Sequence, residues 1–109
     1  MKTTKTYESP DGLLRFQVVH EVDGDVTLGF ETYPWHTHGD LLVGSYGSTE
    51  QEALDRFVGD LLHGRSIIAL YRRNGELYDI GITDDPQRDL RHVPKDESIE
   101  FRRWDGLPV

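Results

Sequence analysis

The chain has 109 residues, a net charge of -8 and no cysteine, and its length is typical of one domain. We therefore predict a single domain over residues 1–109. The lack of cysteine excludes disulfides and thiolate metal ligands, and it is typical of a reducing compartment such as the bacterial cytoplasm. The N-terminus lacks the apolar core of a secretory signal, and no apolar segment approaches the roughly 20 residues that span a bilayer. The sequence predicts a soluble, cytoplasmic protein without membrane contacts.

The acidic residues are concentrated before residue 65. Residues 1–64 carry eleven Asp and Glu against four Lys and Arg, whereas residues 65–109 carry nine against eight. An acidic surface repels the phosphate backbone, so we do not expect nucleic acid as a partner. Charge of this sign favours association with a basic protein, and solubility is the alternative explanation for it.

The first third of the chain has the pattern of antiparallel strands. Residues 4–9 alternate weakly and end at a turn, Ser9-Pro10-Asp11-Gly12. Two stronger alternations follow, separated by Asp23-Gly24-Asp25, and this arrangement predicts a hairpin with one buried face. The apolar positions are Leu14, Phe16 and Val18 in the first strand and Val26, Leu28 and Phe30 in the second.

One amphipathic helix is predicted over about residues 49–63. Ser48 is a suitable N-cap, Gln51 completes a capping box, and Gly64 occupies the position of a left-handed C′ residue. Gly59 lies inside the pattern, which suggests close packing against a sheet. The apolar stripe consists of Leu54, Phe57, Val58, Leu61 and Leu62.

The last third predicts a second group of strands. Ile67 to Arg72 is apolar on both parities, as in a central strand, and Asn74-Gly75 predicts a type I′ hairpin turn. The remaining segments are a return strand over 76–83, a surface loop over 86–96 and a last strand over 98–104. The order β-β-β-α-β-β-β predicts an α+β fold, with a mainly antiparallel sheet of about six strands and the helix packed on one face.

Residues 33–47 are too long and too aromatic for a minimal connection between a strand and a helix, which favours a functional loop. His36 and His38 point to one side in an extended chain, and Asp40 continues that parity. Two imidazoles and a carboxylate suit zinc or another divalent metal, with His20 as a further candidate ligand. His63 and His92 are other candidates.

Two alternatives need no metal. In the first, His36 and His38 are partly buried side chains that form hydrogen bonds to the loop's own backbone. In the second, they form a binding pocket together with Tyr33 and Trp35.

The string His36-Thr37-His38-Gly39-Asp40 resembles the H-x-H-x-D metal motif of metallo-β-lactamase-fold hydrolases. This resemblance implies His36, His38 and Asp40 as metal ligands. It covers five residues, and the family has a further histidine where this chain has Leu41. That fold also needs a longer chain, so we do not assign the protein to the family.

The sequence contains no phosphate-binding glycine loop, no G-x-S-x-G elbow and no cysteine nucleophile. The preferred hypothesis is a protein-binding module without a cofactor that presents an acidic face to a basic partner. At the level of class it looks like bacterial immunity proteins, which are small, acidic and cytosolic. The expected contact residues are Glu21, Asp23, Asp25, Glu31 and Asp40.

Two other functions stay open. One is a small metal-dependent enzyme that uses His36, His38 and Asp40. The other is a structural domain that forms a homodimer, with Trp35 and Trp104 in the subunit interface, where aromatic residues are enriched.

Overall fold

The computed structural model describes residues 2–109 and has an α+β fold with antiparallel sheets and one main helix, which confirms the predicted class. In chain order, the elements are β1 (Thr3–Glu8), β2 (Arg15–His20), β3 (Val26–Phe30), β4 (His36–His38), a 3-10 turn (Gly39–Leu42), α1 (Glu50–Leu62), β5 (Ile67–Arg73), β6 (Glu76–Thr83), α2 (Pro86–Leu90) and β7 (Glu97–Arg102). Over these residues, neither helix has the length and apolar character needed to cross a membrane.

The strands form two sheets, so the prediction of one sheet of about six strands is wrong. The first sheet has the order β1-β2-β3-β4 and the second has the order β6-β5-β7. Every strand pair is antiparallel. Alternation in a sequence identifies strands and their hairpins, but it does not encode which sheet edges meet. The number of sheets is therefore a property of tertiary packing.

The first sheet buries the face that the alternation predicts. Phe16 pairs with Phe30 and Val18 pairs with Leu28, and all four side chains are buried. The Phe16 and Phe30 rings meet edge to face, with 5.1 Å between centroids, and Phe16 also packs against Phe57 of α1. The same core cluster includes Ile68 and Leu70 of β5 and Ile80 of β6, so the core lies between both sheets and α1.

Helix α1 begins one residue later than the cap prediction. Thr49 is the N-cap, because its hydroxyl accepts the Glu52 amide at 3.2 Å, while Ser48 donates through both its amide and its hydroxyl to the Glu52 carboxylate. Gly64 has φ +74°, as predicted for the C′ position. The expected close packing at Gly59 is wrong, since a Cβ there would meet no atom within 4 Å.

The second sheet has the predicted central strand and hairpin. Asn74 and Gly75 have φ of 51° and 83°, as a type I′ turn requires, and β5 pairs with both β6 and β7. The predicted loop over 86–96 instead contains the short helix α2. Asp85 caps this helix by accepting the Arg88 amide, and Pro86 stands in its first turn.

An ion pair with a buried arginine joins the two halves of the chain. Arg102, 6% exposed at the end of β7, contacts the Asp11 carboxylate at 2.8 Å, and Asp11 lies in the turn after β1. Hydrogen bonds from Arg102 and Ser9 lower the pKa of Asp11 to about 2.

Candidate functional site

Strand β4 places both histidines of the loop on the outer face of the first sheet. His36 pairs with Gly29 and His38 pairs with Thr27. Directly paired residues share a face, and β3 turns Val26, Leu28 and Phe30 inward. The two imidazoles therefore point to the solvent side, where their rings meet edge to face with 5.1 Å between centroids.

The two imidazoles contact groups of their own neighbourhood. His36 Nδ1 lies 3.0 Å from the carbonyl oxygen of Pro34, within the loop itself. His38 Nδ1 lies 3.1 Å from a carboxylate oxygen of Asp25, close enough for an ion pair when the ring is protonated but without hydrogen-bond geometry. The carboxylate that the fold brings to the histidines is thus Asp25, in place of Asp40.

Over residues 2–109, no three His, Asp or Glu side chains are grouped as a metal ion requires. Asp40 lies exposed in the 3-10 turn after β4. His20 pairs with the inward-facing Val26, so it lies on the opposite face of the sheet from His36 and His38. His63 is the C-cap of α1, where its Nδ1 lies 2.7 Å from the Gly59 carbonyl oxygen.

Tyr33 and Trp35 connect the loop to the rest of the molecule. Tyr33 donates its amide to the Phe30 carbonyl and packs against the core. The Trp35 amide donates to the Asp79 carboxylate of β6 at 3.0 Å, and its ring lies so close to Gly81 that a Cβ there would be 2.9 Å from the indole Cδ1 atom. The apolar part of the loop therefore anchors the first sheet to β6.

Most of the predicted acidic contact residues lie together at one end of the first sheet. Glu21, Asp23 and Asp25 form the turn between β2 and β3, and Asp40 follows β4. Glu50 joins them from the start of α1, because its side chain packs on Gly39 beside Val26. We call this group the acidic end: Glu21, Asp23, Asp25, Asp40 and Glu50.

The acidic end is not neutralised by cationic side chains. None of its five carboxylates forms an ion pair with a Lys or Arg of residues 2–109, and Asp25 pairs only with His38. Glu31, the fifth predicted contact residue, does not belong to the acidic end. Its carboxylate pairs with Arg15 at 2.8 Å, and Arg15 also pairs with Glu8 at 3.0 Å.

Glu50 could not be identified as a contact residue from the sequence. Acidic residues in a first helical turn are explained by the helix dipole, so their pattern carries no signal of a binding surface.

A separate cavity lies where the two sheets and α1 meet. It has a volume of about 610 Å³, and we call it the cleft. Four aromatic residues line it, Trp35, Tyr46, Phe57 and Tyr71. Its charged lining consists of Asp60, Arg65, Asp84, Arg88 and Asp89. Tyr71 carries no signal of a binding site in the sequence, because its place in a strand explains an aromatic residue without a ligand.

No protein-family model matches the sequence, and no curated protein or solved structure shows significant similarity to it.

Proposed function

We propose that the protein is an acidic protein-binding module of the immunity or inhibitor type, which acts in the cytoplasm and masks a basic partner protein. The observation that carries this proposal is the acidic end, where five carboxylates lie together without a Lys or Arg partner among residues 2–109. Opposite charge across an interface speeds association and selects the partner.

The backbone of the acidic end is held in place before any partner binds. Within the β2–β3 turn, the Glu21 amide donates to the Asp25 carbonyl at 2.8 Å and the Gly24 amide donates to the Glu21 carbonyl at 3.1 Å. The Asp25 amide also donates to the Asp23 carboxylate at 3.0 Å. Because these contacts already order the turn, docking loses little conformational entropy.

The alternative functions have less support from the geometry. His36, His38 and Asp40 are not grouped as a metal site within residues 2–109, so the geometry gives less support to a metal-dependent reaction there. Trp104 is buried inside the chain, so it is not available to a subunit interface.

The first experiment compares two bait proteins with the same net charge. One carries Glu21→Gln, Asp40→Asn and Glu50→Gln at the acidic end, and no side chain of these residues accepts a hydrogen bond within residues 2–109. The control changes acidic residues away from that end, with Asp55→Asn, Glu76→Gln and Asp96→Asn. The two variants and the unchanged protein are each used to capture proteins from the cells that naturally express the unchanged protein.

We expect the unchanged protein and the control to retain one basic protein that the acidic-end variant loses. Binding of that protein, measured by calorimetry, should weaken by about tenfold or more between roughly 50 and 300 mM salt. Equal capture by both variants, an acidic partner, or no captured protein at low salt would contradict the proposal.

A further inference from the structure

Three of the four aromatic residues that line the cleft carry a polar ring group, and these three come from different parts of the chain. Trp35 precedes β4, Tyr46 precedes α1, and Tyr71 lies in β5. Packing holds two of these rings: Trp35 lies on Gly81, and Tyr46 meets the Phe57 ring edge to face with 5.1 Å between centroids. The walls are thus formed by the fold itself and do not require a ligand to order them.

The polar atoms of these aromatic rings are not used inside the described chain. The Trp35 indole N–H and the hydroxyls of Tyr46 and Tyr71 form no hydrogen bond to another of residues 2–109. None of these atoms is a buried polar atom without a partner, so all three reach the solvent and can bond a ligand. A ligand in the cleft would therefore find three aromatic faces with free polar groups.

The carboxylates of the cleft give it a negative potential. Asp60 and Asp89 are partly buried, with 29% and 18% of their side chains exposed. Burial and the charges of Asp60 and Asp84 raise the pKa of Tyr46. Burial and Asp89 likewise raise the pKa of Tyr71. Burial is the larger cause of both pKa shifts, and the nearby carboxylates act in the same direction.

The two arginines of the cleft lie at its rim. Arg65 is 69% exposed and contacts Asp60 at 3.4 Å, and Arg88 is 53% exposed and contacts Asp84 at 3.0 Å. Arg88 also lies 3.7 Å from Asp89. Because both arginine side chains are more than half exposed, water screens these pairs and they contribute little to stability. A cation that enters the cleft can therefore replace the arginines.

We propose that the cleft binds an alkylguanidinium or alkylammonium group, which its aromatic faces and carboxylates recognise together. Cations stack on Trp and Tyr rings, and carboxylates bond the N–H donors of a guanidinium. The volume of about 610 Å³ lies in the range of small-ligand sites. The group can belong to an arginine or lysine side chain of a protein or to a free guanidine or amine. This site goes beyond the acidic end and does not depend on it.

The two tryptophans allow a direct test by NMR of the ¹⁵N-labelled protein. The Trp35 indole lines the cleft, whereas the buried Trp104 lies outside it and serves as the internal control. The Trp35→Phe variant assigns the two indole signals. The probes are acetyl-Gly-Arg-Gly-amide, agmatine as a free guanidine, and acetyl-Gly-norleucine-Gly-amide as the uncharged control.

We expect the arginine peptide or agmatine to shift the Trp35 indole signal in a saturable way and to leave the Trp104 signal in place. Tighter binding of the peptide indicates a protein side chain as the ligand, and tighter binding of agmatine indicates a free guanidine. No Trp35 shift up to about 20 mM of either cation, or an equal shift from the norleucine peptide, overturns the proposal.

Charge variants test the carboxylates of the cleft. Asp60→Asn and Asp84→Asn together should weaken cation binding at least about fivefold, whereas Asp55→Asn, on the same helix as Asp60 but outside the cleft, should change it less than about twofold. Asp84 is 87% exposed, so its single variant retains the fold and gives a second measurement. Equal weakening in Asp55→Asn would overturn the proposal. The acidic-end variant should bind the peptide unchanged, which separates the two hypotheses.

Discussion

At the scale of single residues, Arg102 shows how the fold compensates a buried charge. Its three guanidinium nitrogens each have an acceptor: Nη1 contacts the Asp11 carboxylate at 2.8 Å, and Nε and Nη2 donate to the carbonyls of Arg103 and Trp104 at 3.0 Å. A buried charge with a full set of partners is tolerated, but removal of one partner leaves the other without compensation.

We predict that Asp11→Asn lowers the free energy of unfolding by about 1–2 kcal/mol at pH 7, discounted because 31% of the Asp11 side chain is exposed. The folded-state pKa of about 2 lies below the ordinary value of 3.8. The carboxylate therefore stabilises the fold above about pH 4, and this contribution is lost as the pH falls towards 2.

Urea unfolding at pH 7 and pH 3 measures this difference, with the exposed Asp96→Asn as a control. An equal loss of stability in the two variants at pH 7 would show that the ion pair has no special role.

At the scale of elements, the two glycines near the end of α1 have opposite requirements. Gly59 lies in the helix with open space around the position of a Cβ. Gly64 has φ +74°, and its amide donates to the Leu61 carbonyl at 3.2 Å after the helix has ended. The backbone at Gly59 therefore accommodates a methyl group, whereas the left-handed backbone at Gly64 does not.

We expect Gly59→Ala to raise the free energy of unfolding by about 0.5–1 kcal/mol, because alanine restricts the unfolded chain and favours the helix. Gly64→Ala should lower it by about 1 kcal/mol, since the left-handed backbone strains an alanine. Chemical denaturation of both variants checks the signs, and destabilisation by Gly59→Ala would mean that Gly59 packs more closely than the structure indicates.

At the scale of the whole molecule, Trp35 holds the two sheets together and also forms one wall of the cleft. Its ring occupies the space where a side chain at position 81 would begin, and its amide donates to Asp79 of the same strand, β6. The relative position of the sheets, and so the shape of the cleft, depends on this contact between residues far apart in sequence.

We predict that Gly81→Ala lowers the free energy of unfolding by about 1–3 kcal/mol, because the new methyl group would lie 2.9 Å from a rigid indole ring. In a Trp35→Leu background the same change should cost less, since the clash is removed. A double-mutant cycle measured by urea unfolding tests this coupling. Equal effects of Gly81→Ala in both backgrounds would mean that the indole does not limit the packing at position 81.

Local patterns were sufficient for much of the fold. The two-residue alternation around Phe16 and Leu28 predicted the buried face of the first sheet. Asn74-Gly75 predicted the turn between β5 and β6 in the second sheet, because only residues that tolerate positive φ form such a turn. The same parity argument correctly placed His36 and His38 on one face. The parity argument could not predict strand β4, because the segment His36–His38 forms a strand only by pairing with β3.

Local patterns also could not decide which side chains meet. The composition and strand parity of the sequence by themselves determined the class of the fold, the acidity of its first half and the shared face of the two histidines. Only the tertiary structure separated the strands into two sheets, placed Asp25 beside His38 and Glu50 in the acidic end, and formed the cleft. The reason is physical: periodicity and turn chemistry act within a few residues, whereas these contacts depend on packing across the whole chain.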